Sequence, residues 1–428
     1  MLAVGSVFFG VSVGRNAAHG VPAPQSTSPT RATPANAVQP TAIPTCSLDT
    51  LASAPALIKL YGSVVETASG NSLYSNNDTT AERPASVLKV LTAAAALSVL
   101  GPTYKITTSV EAGHDPGTIV LVGQGDATLS RVSHSVYAGA PTLASLASQA
   151  LTAYNADPAN AGVPITQVVL DSTYWDPNDN WDSSVPRSEQ TGGFLSESTA
   201  LQVDGDRANP AAQVSPRSTD PVTAAGHAFV AALAAAPGGP DASDVTISKG
   251  AAENGAAVLA SVQSQPVSTL IKQMLAQSDN TLGEMLARIV SVKQNLGGTG
   301  ASIQQSTTTA LGKYGLDTSG LTIEDGSGES DESLITPIFM SKFMSLVSTK
   351  ALGLQYVAAG IPVVGKYSAK AGVIATAYTL SGYTTAADGT GESFTFFAEG
   401  PGIKSTAQAA LAALANAVYT CGKNITNN

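Results

Sequence analysis

The sequence predicts an α/β (α+β) fold in which an antiparallel sheet is flanked by helices and a β-rich lobe is inserted into the chain. Three observations support this prediction. Residues 84–97 combine an entry proline with a broad apolar face, which is typical of a buried helix. Near the C-terminus, β-like runs alternate with Gly-rich turns, as in antiparallel hairpins. Between residues 102 and 262, short β-like runs and turn-rich stretches indicate the inserted lobe.

The composition is that of a large and weakly charged protein. The chain has 428 residues, of which 43% are hydrophobic and only 12% are charged, against about 25% in an average soluble domain. This length indicates two or three domains with enough apolar residues for a sizeable core. The formal net charge is −10 and there is no basic stripe that could hold a phosphate backbone, so nucleic acid is not an expected partner.

The first 45 residues have the composition of a signal or anchor followed by a linker. Residues 1–14 are apolar, but a membrane-spanning helix takes about 17–25 residues, and the basic start of a signal peptide is missing. We expect residues 1–20 to be an N-terminal membrane anchor or signal remnant; the alternative is a disordered tail. Residues 21–45 carry six prolines among Ser, Thr, Ala and Gln and are expected to be an extended linker.

The body of the protein is predicted to begin at residue 46. Residues 46–101 and 263–428 would form one α/β domain, and residues 102–262 would form the inserted lobe. Cys46 opens this body and Cys421 lies near its end. Domain termini often lie close together, and two cysteines in an exported protein are more often a bridge than a metal or catalytic pair. We therefore predict a Cys46–Cys421 disulfide.

Local patterns predict the regular elements. Strands are expected where apolar and β-branched residues cluster between turn residues, at 56–65, 106–110, 118–122, 168–171, 369–374, 378–383 and 393–398. Helices are expected where the apolar spacing is helical, at 84–97, 144–156, 266–276, 281–292, 337–348 and 406–418. Residues 71–80 are predicted to be turns. Asp279 and Asn280 are suitable N-cap residues for the helix that follows them.

Two polar residues, Ser86 and Lys89, interrupt the apolar helix predicted at 84–97. They are three positions apart and therefore lie on the same face, one turn from each other. Burial lowers the pKa of a lysine, so Lys89 could accept the proton of the Ser86 hydroxyl. The helix N-terminus would favour negative charge that develops on the serine oxygen. The alternative is a chance Ser-x-x-Lys pattern in which the lysine extends to solvent.

Two further short motifs follow in the C-terminal half of the chain. A Ser-Asp-Asn motif at residues 278–280 lies in the break between two predicted helices, and taken alone it is a helix-capping turn. A Lys-Ala-Gly motif at residues 370–372 lies on a predicted strand. The three motifs occur in one order, each in the structural setting that the chemistry needs. Their joint occurrence by chance is far rarer than that of any one of them.

With these motifs the sequence resembles the penicillin-recognising serine acyl-transferase superfamily. Further features narrow this resemblance to one family of the superfamily. They are the long insertion between the first two motifs, the segments 125–130 and 168–171, and the Asp-Gly-Ser-Gly run at 325–328. The sequence is similar to the D-alanyl-D-alanine carboxypeptidase/endopeptidase family, the class C low-molecular-mass penicillin-binding proteins of peptidase family S13. This resemblance implies a penicillin-binding, serine β-lactamase-like transpeptidase domain built from residues 46–101 and 263–428.

The resemblance implies a role for each polar residue of the motifs. Ser86 would attack the carbonyl carbon of a D-Ala-D-Ala bond, and Lys89 would take the hydroxyl proton. Ser278 would pass a proton to the leaving amine, while Asn280 would hold Lys89 and the substrate amide. Lys370 would supply positive charge for the terminal carboxylate of the substrate. Water would then hydrolyse the acyl-enzyme, and carboxypeptidase and endopeptidase action both remain open.

The resemblance also implies the ligands and the compartment. Ala371, Gly372 and Val373 would line the substrate, and the backbone N–H groups of Ser86 and Val373 would form the oxyanion hole. The expected partners are peptidoglycan peptides that end in D-Ala-D-Ala, with β-lactam antibiotics as acylating inhibitors. The expected location is the extracytoplasmic cell envelope, with the protein either secreted or anchored through its N-terminus. No cofactor or metal is expected, since the four histidines are scattered without metal-ligand spacing.

One departure from the family pattern leaves the activity open. The family motif Lys-Thr-Gly followed by Thr is here Lys-Ala-Gly followed by Val. The first missing hydroxyl would bond the substrate carboxylate, a contact worth about 1.5–3 kcal/mol. The hypotheses are a slow or specialised D,D-carboxypeptidase, an acylation-impaired homologue that binds peptidoglycan or a partner, and a β-lactamase-like amide hydrolase. No Glu…Asn pair between the first two motifs is evident to activate a deacylating water, which disfavours the last.

Overall fold

The computed structural model describes residues 46–426, so the expected anchor or signal at 1–20 and the linker at 21–45 lie outside the described residues. The strands are β1 (Cys46–Ser47), β2 (Lys59–Glu66), β3 (Ser72–Asn76), β4 (Thr107–Ala112), β5 (Thr118–Gly123), β6 (Gln167–Asp171), β7 (Thr246–Lys249), β8 (Val258–Gln263), β9 (Val363–Val364), β10 (Tyr367–Val373), β11 (Ala377–Thr385), β12 (Gly391–Glu399) and β13 (Ile425–Thr426). Strand β3 lies within residues 71–80, so the prediction of turns throughout that stretch was wrong.

Among the described residues, six of the α-helices lie where the sequence predicted them, whereas five others, two of them longer than eight residues, were not predicted. The α-helices are α1 (Asp49–Ala52), α2 (Lys89–Val99), α3 (Leu143–Ala156), α4 (Ser188–Thr191), α5 (Pro221–Ala235), α6 (Val267–Gln277), α7 (Asn280–Lys293), α8 (Ile303–Leu311), α9 (Pro337–Ser348), α10 (Gln355–Ala358) and α11 (Ala407–Cys421). Within residues 46–426, none of the helices has the length and apolar character needed to cross a membrane.

The larger sheet has six strands in the order β3-β2-β12-β11-β10-β9, and every neighbouring pair is antiparallel. Successive side chains of a strand point to opposite faces. On β12, Phe396 joins the core beneath α11, whereas Phe397 joins the core beneath the helices on the other face. The predicted antiparallel sheet flanked by helices is therefore confirmed. Strands β11 and β12 lie at its centre and β10 lies near one edge.

Helix α2 lies at the centre of the helical layer and packs against α6, α7 and α8. Every residue from position 89 to position 97 is buried, and the small alanine side chains let the neighbouring helices approach closely. The predicted continuous helix over 84–97 was wrong in one detail, because its first turn is the 3₁₀ segment Ala85–Leu88. Ala85 has φ +46°, a left-handed conformation that cannot be part of an α-helix.

The second sheet has five strands in the order β7-β6-β5-β4-β8 and takes all of them from residues 107–263. The pairs β5–β6 and β6–β7 are parallel, and the remaining pairs are antiparallel. Parallel neighbours need a crossover connection, which the chain provides with α3 between β5 and β6 and with α5 between β6 and β7. The predicted β-rich segment therefore carries two long helices, whose apolar faces share one core with this sheet.

The two ends of the described chain are joined. Cys46 and Cys421 form the predicted disulfide, with their Cα atoms 5.5 Å apart. The bridge closes a loop across 375 positions of sequence and lies beside the parallel pair β1–β13. Cross-linking distant positions limits the unfolded ensemble, and a native disulfide typically contributes about 2–4 kcal/mol.

Candidate active site

Ser86 lies in the 3₁₀ segment that leads into α2, at the wall of a cavity. Its side chain is 5% exposed. The left-handed conformation of Ala85, directly before it, costs about 1–3 kcal/mol for a residue with a side chain. Such strain persists where the surrounding structure fixes the backbone, and here it turns the serine toward the cavity before the helix begins.

The Lys89 amine contacts Ser86 directly. Its Nζ donates hydrogen bonds to Ser86 Oγ at 2.8 Å and to the carbonyl oxygen of Ser327 at 2.6 Å. Lys89 is 0% exposed, so it does not extend to solvent. Burial lowers the pKa of the amine, and the negative charges of Glu329 and Asp325 oppose that shift. Lys89 therefore loses its proton more readily than a surface lysine, and the neutral amine can accept one from Ser86.

Two glycines bring other segments into backbone contact with the Ser86 turn. Gly328 has φ +81°, and a side chain there would collide with the Ala85 carbonyl oxygen. A Cβ atom at Gly372 would lie 2.6 Å from the backbone nitrogen of Ser86. Both close approaches require glycine. The loop at 325–329 and strand β10 therefore meet at the serine from two sides.

A second serine–lysine pair joins the α6–α7 turn to β10. Lys370 Nζ donates hydrogen bonds to Ser278 Oγ at 2.9 Å and to the Ala371 carbonyl oxygen at 2.6 Å. Ser278 has φ +55° and ends α6 in a left-handed conformation. Burial, together with the charge of Lys89, holds the pKa of Lys370 well below its ordinary value, while Glu329 opposes the shift. Two nearby buried amines thus each disfavour protonation of the other.

The turn that carries Ser278 is anchored through Asp279. Its Oδ1 accepts a hydrogen bond from the backbone of Leu282 at 3.1 Å, so Asp279 is the N-cap of α7 as predicted. Its Oδ2 accepts hydrogen bonds from Arg207 Nη2 at 2.8 Å and from the Tyr137 hydroxyl at 3.0 Å. Burial would raise the pKa of Asp279, but the charges of Arg207 and Arg217 hold it below its ordinary value. Residues between β5 and β7 therefore fix this turn.

Asn280 contacts a residue that the sequence analysis did not single out. Its Nδ2 donates a hydrogen bond to Glu329 Oε1 at 2.6 Å. The family resemblance implied a contact between Asn280 and Lys89; the amide nitrogen instead binds the carboxylate, and Asn280 Oδ1 is buried without a partner among the described residues. A buried, unpaired amide oxygen is expensive unless a ligand or water completes it. The free oxygen is thus available to a substrate N–H group.

The cavity brings the candidate residues together. It has a volume of about 490 Å³ and is lined, among others, by Ser86, Ser278, Asn280, Lys370, Ala371 and Val373. Ala371 is exposed and Val373 half-buried, while Gly372 lies in the strand between them. A neighbouring cavity of similar size shares Phe194, Glu329 and Val373 with it. A serine hydroxyl bonded to a buried amine, with a second serine–lysine pair beside it, suits nucleophilic acyl transfer.

The family comparison agrees with this geometry. The family model of the D-Ala-D-Ala carboxypeptidase 3 (S13) family matches residues 45–215 and 186–418. The chain belongs to this family. The match extends over both sheets and all three motifs, so membership of the S13 family rests on nearly the whole described chain.

Individual relatives point the same way. Carboxypeptidase DacB of Mycolicibacterium smegmatis is 29% identical over 396 residues, which are 86% of this chain and 82% of the relative. A carboxypeptidase of Mycobacterium tuberculosis is 32% identical over 306 residues, which are 68% of this chain and 61% of the relative. The crystal structure of penicillin binding protein 4 from Haemophilus influenzae covers 85% of this chain and 96% of its own, with a TM-score of 0.67 at 18% identity. That likeness shows the fold.

Sequence reasoning missed the charged residues that surround the S13 motifs. Glu329 follows the Asp-Gly-Ser-Gly run directly, but that run was used only for the family resemblance. Arg207, Arg217 and Tyr137 lie between the first two motifs, and no local pattern links them to residue 279. The need of both guanidinium groups for a carboxylate partner follows from their burial, which is known only from the structure.

Proposed function

We propose that this protein is a serine D-Ala-D-Ala carboxypeptidase that forms an acyl-enzyme on Ser86. The observation that carries the proposal is the 2.8 Å hydrogen bond from the buried Lys89 amine to Ser86 Oγ. Membership of the S13 family and the carboxypeptidase names of both mycobacterial relatives support it. Peptidoglycan stem peptides are the proposed substrates, β-lactams the proposed inhibitors, and the cell envelope the proposed location.

The proposed acylation step uses both serine–lysine pairs. Neutral Lys89 takes the Ser86 proton while Oγ attacks the carbonyl carbon of the D-Ala-D-Ala bond. The backbone N–H groups of Ser86 and Val373 stabilise the oxyanion, and one such donor is typically worth roughly 10²–10³ in kcat. The proton then reaches the leaving amine through Ser278, whose hydroxyl is bonded to Lys370. The amide of Asn280 offers its unpartnered oxygen to the substrate backbone.

The acylation step has a direct test. The full chain is incubated with a penicillin and its intact mass is measured, with Ser86→Ala as control and circular dichroism as the check of folding. A stoichiometric penicilloyl adduct that disappears in the variant is expected. No adduct and no hydrolysis of the penicillin by the folded wild-type protein would contradict the proposed function. Release of D-Ala from an uncross-linked and from a cross-linked stem peptide then separates carboxypeptidase from endopeptidase action.

A second candidate, the acylation-impaired homologue, is favoured by one specific feature. Ala371 stands at the exposed wall of the cavity, where the family motif has a threonine hydroxyl. A binding homologue would retain affinity for stem peptides and show no adduct in the same experiment. Calorimetry measures the equilibrium binding of a stem peptide by Ser86→Ala and by the wild type. Binding without an adduct distinguishes this homologue from a protein that neither binds the peptide nor is acylated.

We also propose the domain boundaries set out above, with residues 102–262 as a nested lobe. The five-stranded sheet supports this, since its strands all lie between residues 107 and 263. The strands of the six-stranded sheet come from both sides of that segment. Limited proteolysis that split the body into two sequential halves near residue 200, each folded alone, would contradict the nested arrangement.

A further inference from the structure

Glu329 is a carboxylate in the candidate site for which the acylation step has no use. It is half-buried and lines the cavity that contains Ser86, and it also lines the neighbouring cavity. A partly desolvated carboxylate is costly unless it is bound by donors or neutralised. Its position beside two lysines and a nucleophile therefore indicates a role in the chemistry of the site.

The loop that carries Glu329 is held against the Ser86 turn at successive positions. The Ser327 carbonyl accepts the 2.6 Å hydrogen bond from Lys89 Nζ. Gly328 lies in backbone contact with Ala85, the residue before the serine. Asp325 fixes the loop from within, because its Oδ2 accepts hydrogen bonds from the Ser327 hydroxyl at 2.7 Å and from the Glu329 backbone nitrogen at 2.8 Å. Glu329 thus follows directly after a segment whose position is set by contacts to Lys89 and Ala85.

The carboxylate itself is oriented by one partner. Asn280 Nδ2 donates to Oε1 at 2.6 Å, and among residues 46–426 no other side chain is hydrogen-bonded to the Glu329 carboxylate. The second oxygen, Oε2, is therefore free to accept a proton or a water. A Glu–Asn pair at the wall of an acyl-enzyme cavity is what a deacylating water needs: one group to hold it and one base to activate it. This pair lies at and beyond the second motif, and not between the first two motifs, where the sequence shows no such pair.

We propose that Glu329 is the general base that activates the water for hydrolysis of the Ser86 acyl-enzyme. This inference rests on the proposed function. The Glu329 carboxylate takes one proton of the water as the water oxygen bonds to the ester carbonyl carbon. The tetrahedral intermediate then collapses, and the bond from that carbon to Ser86 Oγ breaks. The proton passes from Glu329 through the Lys89 amine to the departing Oγ, which restores the hydroxyl and releases the free acid.

The charges around Glu329 suit a base that works near neutral pH. Burial raises its pKa to about 7, with further upward contributions from Glu189 and Asp325. Lys89 and the Asn280 hydrogen bond act in the opposite direction, and Lys370 also faces this carboxylate. A base must be ionised to act, so the deacylation rate constant is expected to rise with pH through about 7 and to level off above it.

The test measures acylation and deacylation separately in one experiment. The protein is acylated with penicillin, excess drug is removed, and the decay of the adduct is followed by intact mass between pH 5.5 and 8.5. Glu329→Gln keeps an oxygen that can accept the Asn280 hydrogen bond but cannot take a proton. Glu332→Gln, an exposed glutamate of the same loop, is the matched control. Thermal unfolding of both variants checks that the fold is kept.

The expected result is adduct formation within about threefold of wild type and decay slower by roughly 10²-fold or more in Glu329→Gln, with no rise through pH 7. Glu332→Gln should match the wild type in both. Decay that is unchanged in Glu329→Gln, or that keeps its pH dependence, would overturn the assignment, as would loss of acylation in that variant. Absence of an adduct in both the wild type and Glu329→Gln is a different outcome: it overturns the proposed function and this inference with it.

Discussion

The two serine–lysine pairs of the site have the same chemistry but were assembled in different ways. Ser86 and Lys89 are three residues apart on one turn, whereas Ser278 and Lys370 are separated by 92 positions and meet across the α6–α7 turn and β10. Burial lowers the pKa of both lysines. The carboxylates of Glu329 and Asp325 oppose the shift at Lys89, while the positive charge of Lys89 adds to it at Lys370.

Proximity is therefore built by the local chain in the first pair and by tertiary contacts in the second. In the first pair one turn of chain brings the two side chains together, and the surrounding packing excludes water from them. The second needs β10 in register, the left-handed turn at Ser278, and the buried ion pair between Arg207 and Asp279. We therefore expect changes at the first pair to alter chemistry at little cost in stability, and changes around the second to alter both.

The largest expected effect is on the first pair. Lys89→Met keeps most of the length of the side chain and removes the base, so the rate constant for acylation by penicillin should fall by roughly 10²–10⁴. At neutral pH a lysine in the unfolded chain is protonated, whereas burial in the folded protein lowers the pKa of Lys89 and so makes protonation unfavourable. Because removing this lysine removes that cost, the melting temperature should stay equal or rise. Stopped-flow acylation and calorimetry measure the two. The exposed Lys342→Met is the control, and acylation within tenfold of wild type would refute the role of Lys89 as base.

The next effect breaks the anchor of the second pair. Asp279→Asn leaves Arg207 buried without its counter-charge, which typically costs about 3–5 kcal/mol of unfolding free energy. The folded pKa of Asp279 lies below its ordinary 3.8, so this contribution is present above that pH and is lost as the pH falls through the folded value. Urea unfolding at pH 7 and at pH 3 measures it. Asp241→Asn, an exposed cap, should change stability little; a loss at Asp279 below about 1 kcal/mol would contradict the prediction.

A smaller effect tests whether the second pair acts as a unit. Ser278→Ala and Lys370→Ala should each lower kcat/KM for a D-Ala-D-Ala peptide by about 10²-fold, at the lower end of proton-transfer catalysis. The double variant should be little worse than either, since each change already disables the relay. Ser278→Ala combined with Lys342→Met should be additive. If the effects of Ser278→Ala and Lys370→Ala were fully additive in the double variant, their 2.9 Å contact would not contribute to catalysis.

The smallest expected effect is a gain at the edge of the second pair. Ala371→Thr introduces a hydroxyl on the exposed wall of the cavity. A hydrogen bond from this hydroxyl to the substrate carboxylate, worth about 1.5 kcal/mol, should raise kcat/KM by about tenfold. A peptide with an amidated C-terminus is the control, because it lacks the charge that the hydroxyl would bind. An equal gain on both peptides, or none on either, would show that residue 371 does not contact the carboxylate.

The spacing of the first pair, the order of the motifs and most of the longer elements could be predicted from the sequence. The Ser-x-x-Lys spacing on an apolar helix is enough to bring the Ser86 hydroxyl and the Lys89 amine together, because residues three apart share a face. Apolar periodicity predicted helices such as α9, and the positions of two cysteines predicted their bridge. These signals are local or compositional, so they can be recognised in a single sequence.

The charged groups that surround those residues could not be predicted, because folding brings them together from distant segments. The left-handed φ of Ala85 follows from packing, not from the propensity of alanine. The partners of Asp279 and Asn280, namely Arg207 and Glu329, come from segments 72 and 49 positions away. The interaction between two charges depends on their separation in space and on the solvent between them. Both the separation and the intervening solvent are set by the folded structure and cannot be deduced from the sequence.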